Sequence, residues 1–161
     1  MDAVDEILEE WQRERPELDA SAKAVTGRIL RLASLFQQAY DAVFAELGLA
    51  SGDYGVLVAL RRAGAPFERT PTELARHMMM TSGGMTAALD RLERVGLLAR
   101  RPNPEDRRGS LVGLTHEGRA LVDEAMTAHV GVEEGLVAGL DAGERATLEG
   151  LLRKLLLAVD A

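Results

Sequence analysis

Between Thr70 and Thr115 the chain carries three local structure signals in immediate succession, and no other stretch restricts its fold as tightly. Thr70-Pro71-Thr72-Glu73 sets a capping residue before a proline at the first helical position and a glutamate at the third, the pattern of a capping box. A second start follows at Thr81-Ser82, and Met85, Leu89, Leu92 and Val95 recur at helical spacing until Gly96 stops the run. Two short extended pieces come next, Leu97 to Arg101 and Ser110 to Leu114, joined by the turn-rich Pro102-Asn103-Pro104-Glu105-Asp106-Arg107-Arg108-Gly109. Helix, turn, helix and an arginine-tipped hairpin outline a mainly α, winged helix-turn-helix chain with a two-stranded wing.

Charge is distributed to match. The chain carries −7 overall, which is unexpected for a DNA reader, yet from Arg61 to Arg108 ten arginines meet six carboxylates, a local +4 against −11 elsewhere. Affinity for a polyanion follows the local patch more than net charge. At 161 residues and 47% hydrophobic content the chain is one domain, or one domain with helical extensions, and can bury a core. Cysteine is absent, which excludes disulfides, a cysteine nucleophile, thiolate metal sites and thiol redox sensing. Neither a signal peptide nor an apolar run of about 18 residues is visible, so a soluble, cytoplasmic protein without metal or cofactor is expected.

Outside the central stretch the signals are helical. Val4, Ile7, Leu8 and Trp11 make a short amphipathic helix that Arg15-Pro16 should end. A long helix capped near Asp19 or Ser21 runs to Gly48, and another begins at Ser51. Thr115 caps a long helix, and Asp141-Ala142-Gly143-Glu144 is a second capping box before the stripe Leu148, Leu151, Leu152, Leu155, Leu156 and Val159. Terminal helices striped this strongly need a partner. The expectation is residues 1–50 as N-terminal dimerisation and ligand region, 51–115 as the winged helix-turn-helix, and 116–161 as C-terminal dimerisation helices. A two-fold dimer suits a two-fold DNA site.

Taken together, Leu74-Ala75, Asp90-Arg91-Leu92-Glu93, Gly96-Leu97-Leu98 and Pro104-Glu105-Asp106-Arg107-Arg108 through Leu114-Thr115-His116-Glu117-Gly118 resemble the MarR regulators over nearly the whole chain. The resemblance implies a homodimeric winged-helix repressor that binds a short inverted repeat and lets go when a small, often aromatic, anionic ligand binds. Trp11-Gln12-Arg13-Glu14-Arg15-Pro16-Glu17-Leu18-Asp19 is similar to the opening of that family's urate-responsive branch, which carries an extra first helix. There a tryptophan of that helix, an aspartate on the helix after the long one and an arginine of the recognition helix surround the ligand. Trp11 matches, while the aspartate position falls on Gly55 and the arginine position on Ala88. With two of three polar groups missing, a branch member with another ligand, or with none, is implied.

The expected DNA contacts are as follows. Thr72 to Met79 crosses the backbone, and Ser82 to Val95 enters the major groove, presenting Ser82, Gly83, Thr86, Arg91 and Arg94. This inventory is thin for direct base reading, so weight shifts to Arg107 and Arg108 at the hairpin tip, placed for a narrow minor groove. Arg69, Arg76, Arg100 and Arg101 are candidates for phosphate contacts. Trp11, Arg15, Tyr40, Tyr54 and His77 are candidates for an effector site, each with simple packing as the blander role. Met78-Met79-Met80 reads as flexible core filler that could repack around a ligand or respond to oxidation. Catalysis finds no support: His77, His116 and His129 are scattered, and no HExxH, phosphate loop or nucleophile motif occurs. The alternative is a winged-helix dimer with weak DNA binding that acts mainly through protein partners.

Overall fold

The computed structural model describes residues 1–78, 81–106 and 109–160, without the side chain of Ser82. Met79, Met80, Arg107 and Arg108 therefore lie outside the described residues. Two compact units result, Met1–Ala42 and Val43–Ala161.

In the first unit, α1 (Ala3–Glu14) begins at a capping box in which Asp2 accepts from the Val4 and Asp5 amides and Asp5 accepts from the Asp2 amide. The same two carboxylates take the guanidinium of Arg28, on α2 (Lys23–Glu46), at 2.9 Å for Asp2 and by a second hydrogen bond to Asp5. Arg28 holds both aspartates below the ordinary carboxylate range together with their backbone donors. Beside this fork Val4 is buried, and Gly27 leaves it room, since a Cβ there would lie 3.2 Å from Val4 Cγ1. Arg15 ends α1 ahead of Pro16, as the proline demands. Trp11 keeps 40% of its surface exposed, and Arg15 is paired with Glu17.

The second unit is built on α3 (Ser51–Arg62), whose Val56, Leu57 and Leu60 are fully buried. Around it stand α4 (Pro71–Met78), α5 (Ser82–Arg94) and α6 (His116–Leu136), contributing Leu74, then Met85, Leu89 and Leu92, then Val122. Burying an aliphatic side chain of this size stabilises by about 1.5–3 kcal/mol, so these positions carry the core. Tyr54 stacks on Phe44 with ring centroids 4.0 Å apart and lies tilted against His129 at 5.4 Å. The last helix, α7 (Ala142–Val159), starts at the expected capping box and leaves Leu151, Leu156 and Leu157 exposed.

The wing has one strand more than the sequence pattern indicates. Strands β2 (Leu98–Pro102) and β3 (Ser110–Leu114) pair antiparallel, and a two-residue β1 (Glu68–Arg69) adds to the far side of β3, in the order β1-β3-β2. Two residues carry no alternation to detect, so β1 is visible only once folded. Val95 is also misplaced by the pattern. Helix α5 stops at Arg94, Val95 is its C-cap and stays 63% exposed, and Ala88 fills the buried position instead.

Where α5 stops, Gly96 takes φ 78° and the chain closes in a Schellman turn, Leu97 N–H to Leu92 O and Gly96 N–H to Glu93 O, both 3.0 Å. The N-terminus of α6 docks on this turn. Thr115 donates its hydroxyl to Gly96 O at 2.7 Å and its amide to Leu97 O at 3.1 Å. Gly118 is then pressed against the same carbonyl: a Cβ there would sit 2.0 Å from Leu97 O. Gly118→Ala is accordingly expected to destabilise by about 3 kcal/mol or more, the upper range for overpacking against rigid backbone. Gly131→Ala, in the same helix with nothing within 4 Å of its would-be Cβ, should instead stabilise by about 0.5–1 kcal/mol. Thermal melts of the two variants should move in opposite directions.

Candidate nucleic-acid interface

Helix α4 is started by a real capping box. Glu73 accepts from the Thr70 amide at 2.8 Å and hydroxyl at 2.9 Å, and Thr70 Oγ1 accepts from the Glu73 amide at 3.2 Å. These backbone and side-chain donors hold the Glu73 carboxyl below its ordinary range. After the turn, Thr81 caps α5 by accepting from the Gly84 amide at 3.2 Å. The two helices pack through Leu74 and Met85, leaving Gly83, Thr86, Ala87, Asp90, Arg91 and Arg94 on the exposed face of α5. Gly83 has nothing within 4 Å of a would-be Cβ, so its backbone is open to close approach. On α4, Thr72, Arg76 and His77 are exposed, and a His77 ring nitrogen lies 2.7 Å from Glu73 O.

Beyond α5 the hairpin turns through Asn103, whose side chain accepts from the Glu105 amide at 3.0 Å, and closes with Asn103 N–H to Gly109 O at 3.0 Å. This places Asn103 and Asp106 at the far end of the β2–β3 pair. The positions of Arg107 and Arg108 lie outside the described residues.

The arginines of this region fall into two groups. Arg91 reaches from α5 to Asp53 on α3, with Nε donating at 2.9 Å and Nη2 closing a second bond. Arg100 donates to Asp90 and to Glu93, each at 2.6 Å, tying β2 to α5. Arg101 is bound by Glu68 at 2.8 and 2.5 Å. Hydrogen bonds donated to their carboxylate partners push Arg91 and Arg101 up, and Arg101 draws Glu68 down. Arg69, Arg76 and Arg94, in contrast, form no ion pair among the described residues. The local positive charge is therefore partly engaged by internal carboxylates, while these three are not held in that way, although Arg69 lies near enough to Glu73 to favour its charged form.

Residues 47–109, from just before α3 to just before β3, match the family model described as the MarR family. The HTH-type transcriptional regulator PecS of Dickeya dadantii is 34% identical over 152 residues, spanning 94% of this chain and 92% of its own. The chain belongs to the MarR family. A variant of the MarR protein of Escherichia coli, solved with operator DNA, matches with a TM-score of 0.72 at 31% identity, over 86% of this chain and 99% of that one. Sco3205 of Streptomyces coelicolor, solved in complex with DNA, gives a TM-score of 0.77 at 26% identity, over 88% and 93%. The family consists of transcriptional regulators, which are not enzymes.

Gly55 and Ala88, the positions matched above to the branch's aspartate and arginine, bring no polar group. A Cβ on Gly55 would lie 2.7 Å from Met78 Cε, and Ala88 is buried, so neither site faces open space. An aspartate and an arginine do meet nearby, where Asp53 on α3 is paired with Arg91 on α5. Asp53 falls on the buried stripe of Val56, Leu57 and Leu60, and a carboxylate on such a stripe requires a partner. Next to it, Tyr54 is buried, with its hydroxyl donating to Met126 Sδ at 3.1 Å, and burial followed by the nearby Glu133 charge raises it. Tyr54 thus packs beside the ion pair, while Tyr40 and Trp11 belong to the first unit. Among the described residues no cluster of three metal-ligating side chains occurs, and no single helix is long and apolar enough to cross a membrane.

Asp53→Ala should leave Arg91 unpartnered and cost about 1 kcal/mol, since the guanidinium is half exposed and its pair is partly screened. A lowered melting temperature that Arg91→Ala alone reproduces, with no further loss in the double variant, would identify the pair as the source.

Proposed function

We propose that the protein is a sequence-specific transcriptional repressor that acts as a homodimer on an inverted-repeat operator in the cytoplasm and is released by a small aromatic or anionic effector. The observation that carries this reading is the α4–turn–α5 pair with an exposed, carboxylate-braced recognition face and a wing beside it. Residues 51–115 read DNA, and residues 1–50 and 116–161 hold the dimer. The exposed leucines Leu30, Leu32 and Leu35 of α2, and separately Leu151, Leu156 and Leu157 of α7, support such an assembly, because apolar stripes left in water are costly.

On DNA, α5 lies in the major groove with its N-terminal turn foremost. Ser82 and Thr86 donate to base edges or phosphate, the Gly83 backbone permits close approach, and the helix N-terminus itself favours a phosphate. Arg69, Arg76 and Arg94 neutralise phosphates and so fix register without reading sequence. Arg107 and Arg108 enter the minor groove, where guanidinium groups respond to groove width. The two similar structures solved with DNA support this docking.

Release follows from the Asp53–Arg91 pair. An anionic effector competes with Asp53 for the same guanidinium, and exchanging partners changes how α5 is held against α3. An effector of this kind shifts DNA affinity by the difference between its own affinities for the two arrangements and by no more. A reading through protein partners alone makes the opposite demand: operator binding would be weak and insensitive to the wing.

The decisive assay is a gel shift with DNA upstream of the protein's own gene. Binding at nanomolar protein is expected, falling steeply with salt, with Arg76→Ala or Arg94→Ala each reducing the salt slope by about 1. Arg107→Ala and Arg108→Ala should weaken binding while the dimer, followed by sedimentation, stays intact. If both wing variants bind as tightly as the parent, the wing assignment fails. Repeating the assay with aromatic carboxylates and purines should reveal a compound that releases DNA from the parent protein and not from Arg91→Ala.

A further inference from the structure

Two neighbouring arginines of β2 are bound on opposite faces of the sheet, and they are bound differently. Strand register pairs Arg100 with Val112 and Ala99 with Gly113, while Glu68 on β1 also pairs with Gly113. Side chains alternate along a strand, so Leu98, Arg100 and Val112 share the core face, and Ala99, Arg101, Glu68 and Gly113 share the outer one. Leu98 and Val112 are buried, which confirms the face that packs inward. On the core side, Arg100 is gripped by two carboxylates of α5 and acts as a brace. On the outer side, Arg101 has one carboxylate, and that carboxylate arrives from the far strand.

To reach Arg101 from β1, Glu68 must cross β3. It crosses at Gly113, where a Cβ would stand 2.9 Å from Glu68 Cγ. The pair that results is unequal in exposure, 19% for the Glu68 side chain and 49% for Arg101, so the carboxylate lies flat on the sheet and the guanidinium faces outward. Ala99 beside it is small and exposed, leaving this flank flat. An ion pair this open contributes little to folding. Phosphate offers a guanidinium the same two-pronged geometry that Glu68 does, so the exchange of one for the other needs no rearrangement of the arginine.

We infer that Glu68 is an affinity-setting residue: it masks Arg101 in the free protein, and this restrains the wing flank from adding a phosphate contact to any duplex it meets. The inference rests on the DNA-binding reading above. It makes Glu68, which bears the wrong charge for DNA and no obvious role in the core, a control on how firmly the wing flank grips the backbone. Since phosphate carries no base identity, the restraint acts on operator and unrelated DNA alike.

The test compares the parent protein, Glu68→Gln, Arg101→Gln and the double variant by fluorescence anisotropy. Each is titrated with two duplexes, the DNA upstream of its own gene and an unrelated sequence of equal length, at several salt concentrations. Glu68→Gln is expected to bind both duplexes about 3- to 10-fold tighter, with a salt slope steeper by up to about 0.9, the value for one more neutralised phosphate. Adding Arg101→Gln should abolish the gain, because the gain depends on the released guanidinium. Glu68→Asp, one methylene too short to span Gly113, should shift affinity in the same direction, and thermal melts report that each variant is folded. Unchanged or weaker binding by both Glu68 variants, with the parent binding normally, overturns the inference. So does a gain that persists in the double variant, which would trace to lost negative charge alone. A parent protein that binds neither duplex overturns the DNA-binding reading itself.

Discussion

The turn at Gly96 and Leu97 is the point on which the second unit depends. It ends the recognition helix, begins β2, and receives the start of α6 through Thr115 and Gly118. Three elements meet there around two carbonyl groups. The requirement is steric as much as polar, because the contact closes only if residue 118 has no side chain and residue 96 can adopt a positive φ. With this junction closed, the angle between α5 and the wing is fixed by backbone, and side chains need only refine it. Arg100, gripping Asp90 and Glu93 from β2, is such a refinement.

Charge in this protein is organised by pairing more than by excess. The +4 of residues 61–108 suggests a simple basic patch, yet Arg61, Arg91, Arg100 and Arg101 are all engaged by carboxylates. Pairs this exposed add only about 0–1 kcal/mol each to stability. Their larger effect is on what the surface offers a polyanion, since a guanidinium already satisfied must give up a partner before it meets a phosphate. Arg69, Arg76 and Arg94 carry no such restriction among the described residues. Position on the interface and availability on the interface are separate properties, and sequence reports the first alone.

That distinction explains which features were legible beforehand. Helix starts at Thr70, Thr81, Thr115 and Asp141 follow from residues three apart, and the folded chain forms each of the caps they encode. The amphipathic stripes of α3 and α5 were equally local. What escaped was non-local. Asp53 and Arg91 are 38 residues apart, Glu68 and Arg101 are 33 apart, and no periodic pattern joins residues at such distances. Gly55 and Ala88, the positions matched by resemblance, lie two and three residues from Asp53 and Arg91. On a helix of 3.6 residues per turn that is enough to exchange a buried, paired face for another one. Val95 failed for the opposite reason, because the stripe continued by one residue past the turn that Gly96 imposes.

The arrangement of α3 gives these pieces a common mechanical reference. Asp53 holds the recognition helix through Arg91, and the next residue, Tyr54, holds α6 through Met126 and lies against His129. Two turns on, Arg61 holds α6 again through Asp123 at 2.7 Å. Consecutive residues on a helix point about 100° apart, so one short rigid element grips α5 on one side and α6 on another. Because the interior between them is close-packed, with Val56, Leu57 and Leu60 fully buried, α3 cannot bend to absorb a change at one contact. A shift of α3 relative to α6 must therefore appear at Asp53, and Arg91 must follow it, swap partners or be left unpaired. The recognition helix is thus positioned by a pair that responds to both of its neighbours, and the wing, joined to α5 through backbone at Gly96 and Leu97 and braced to it by Arg100, follows the helix.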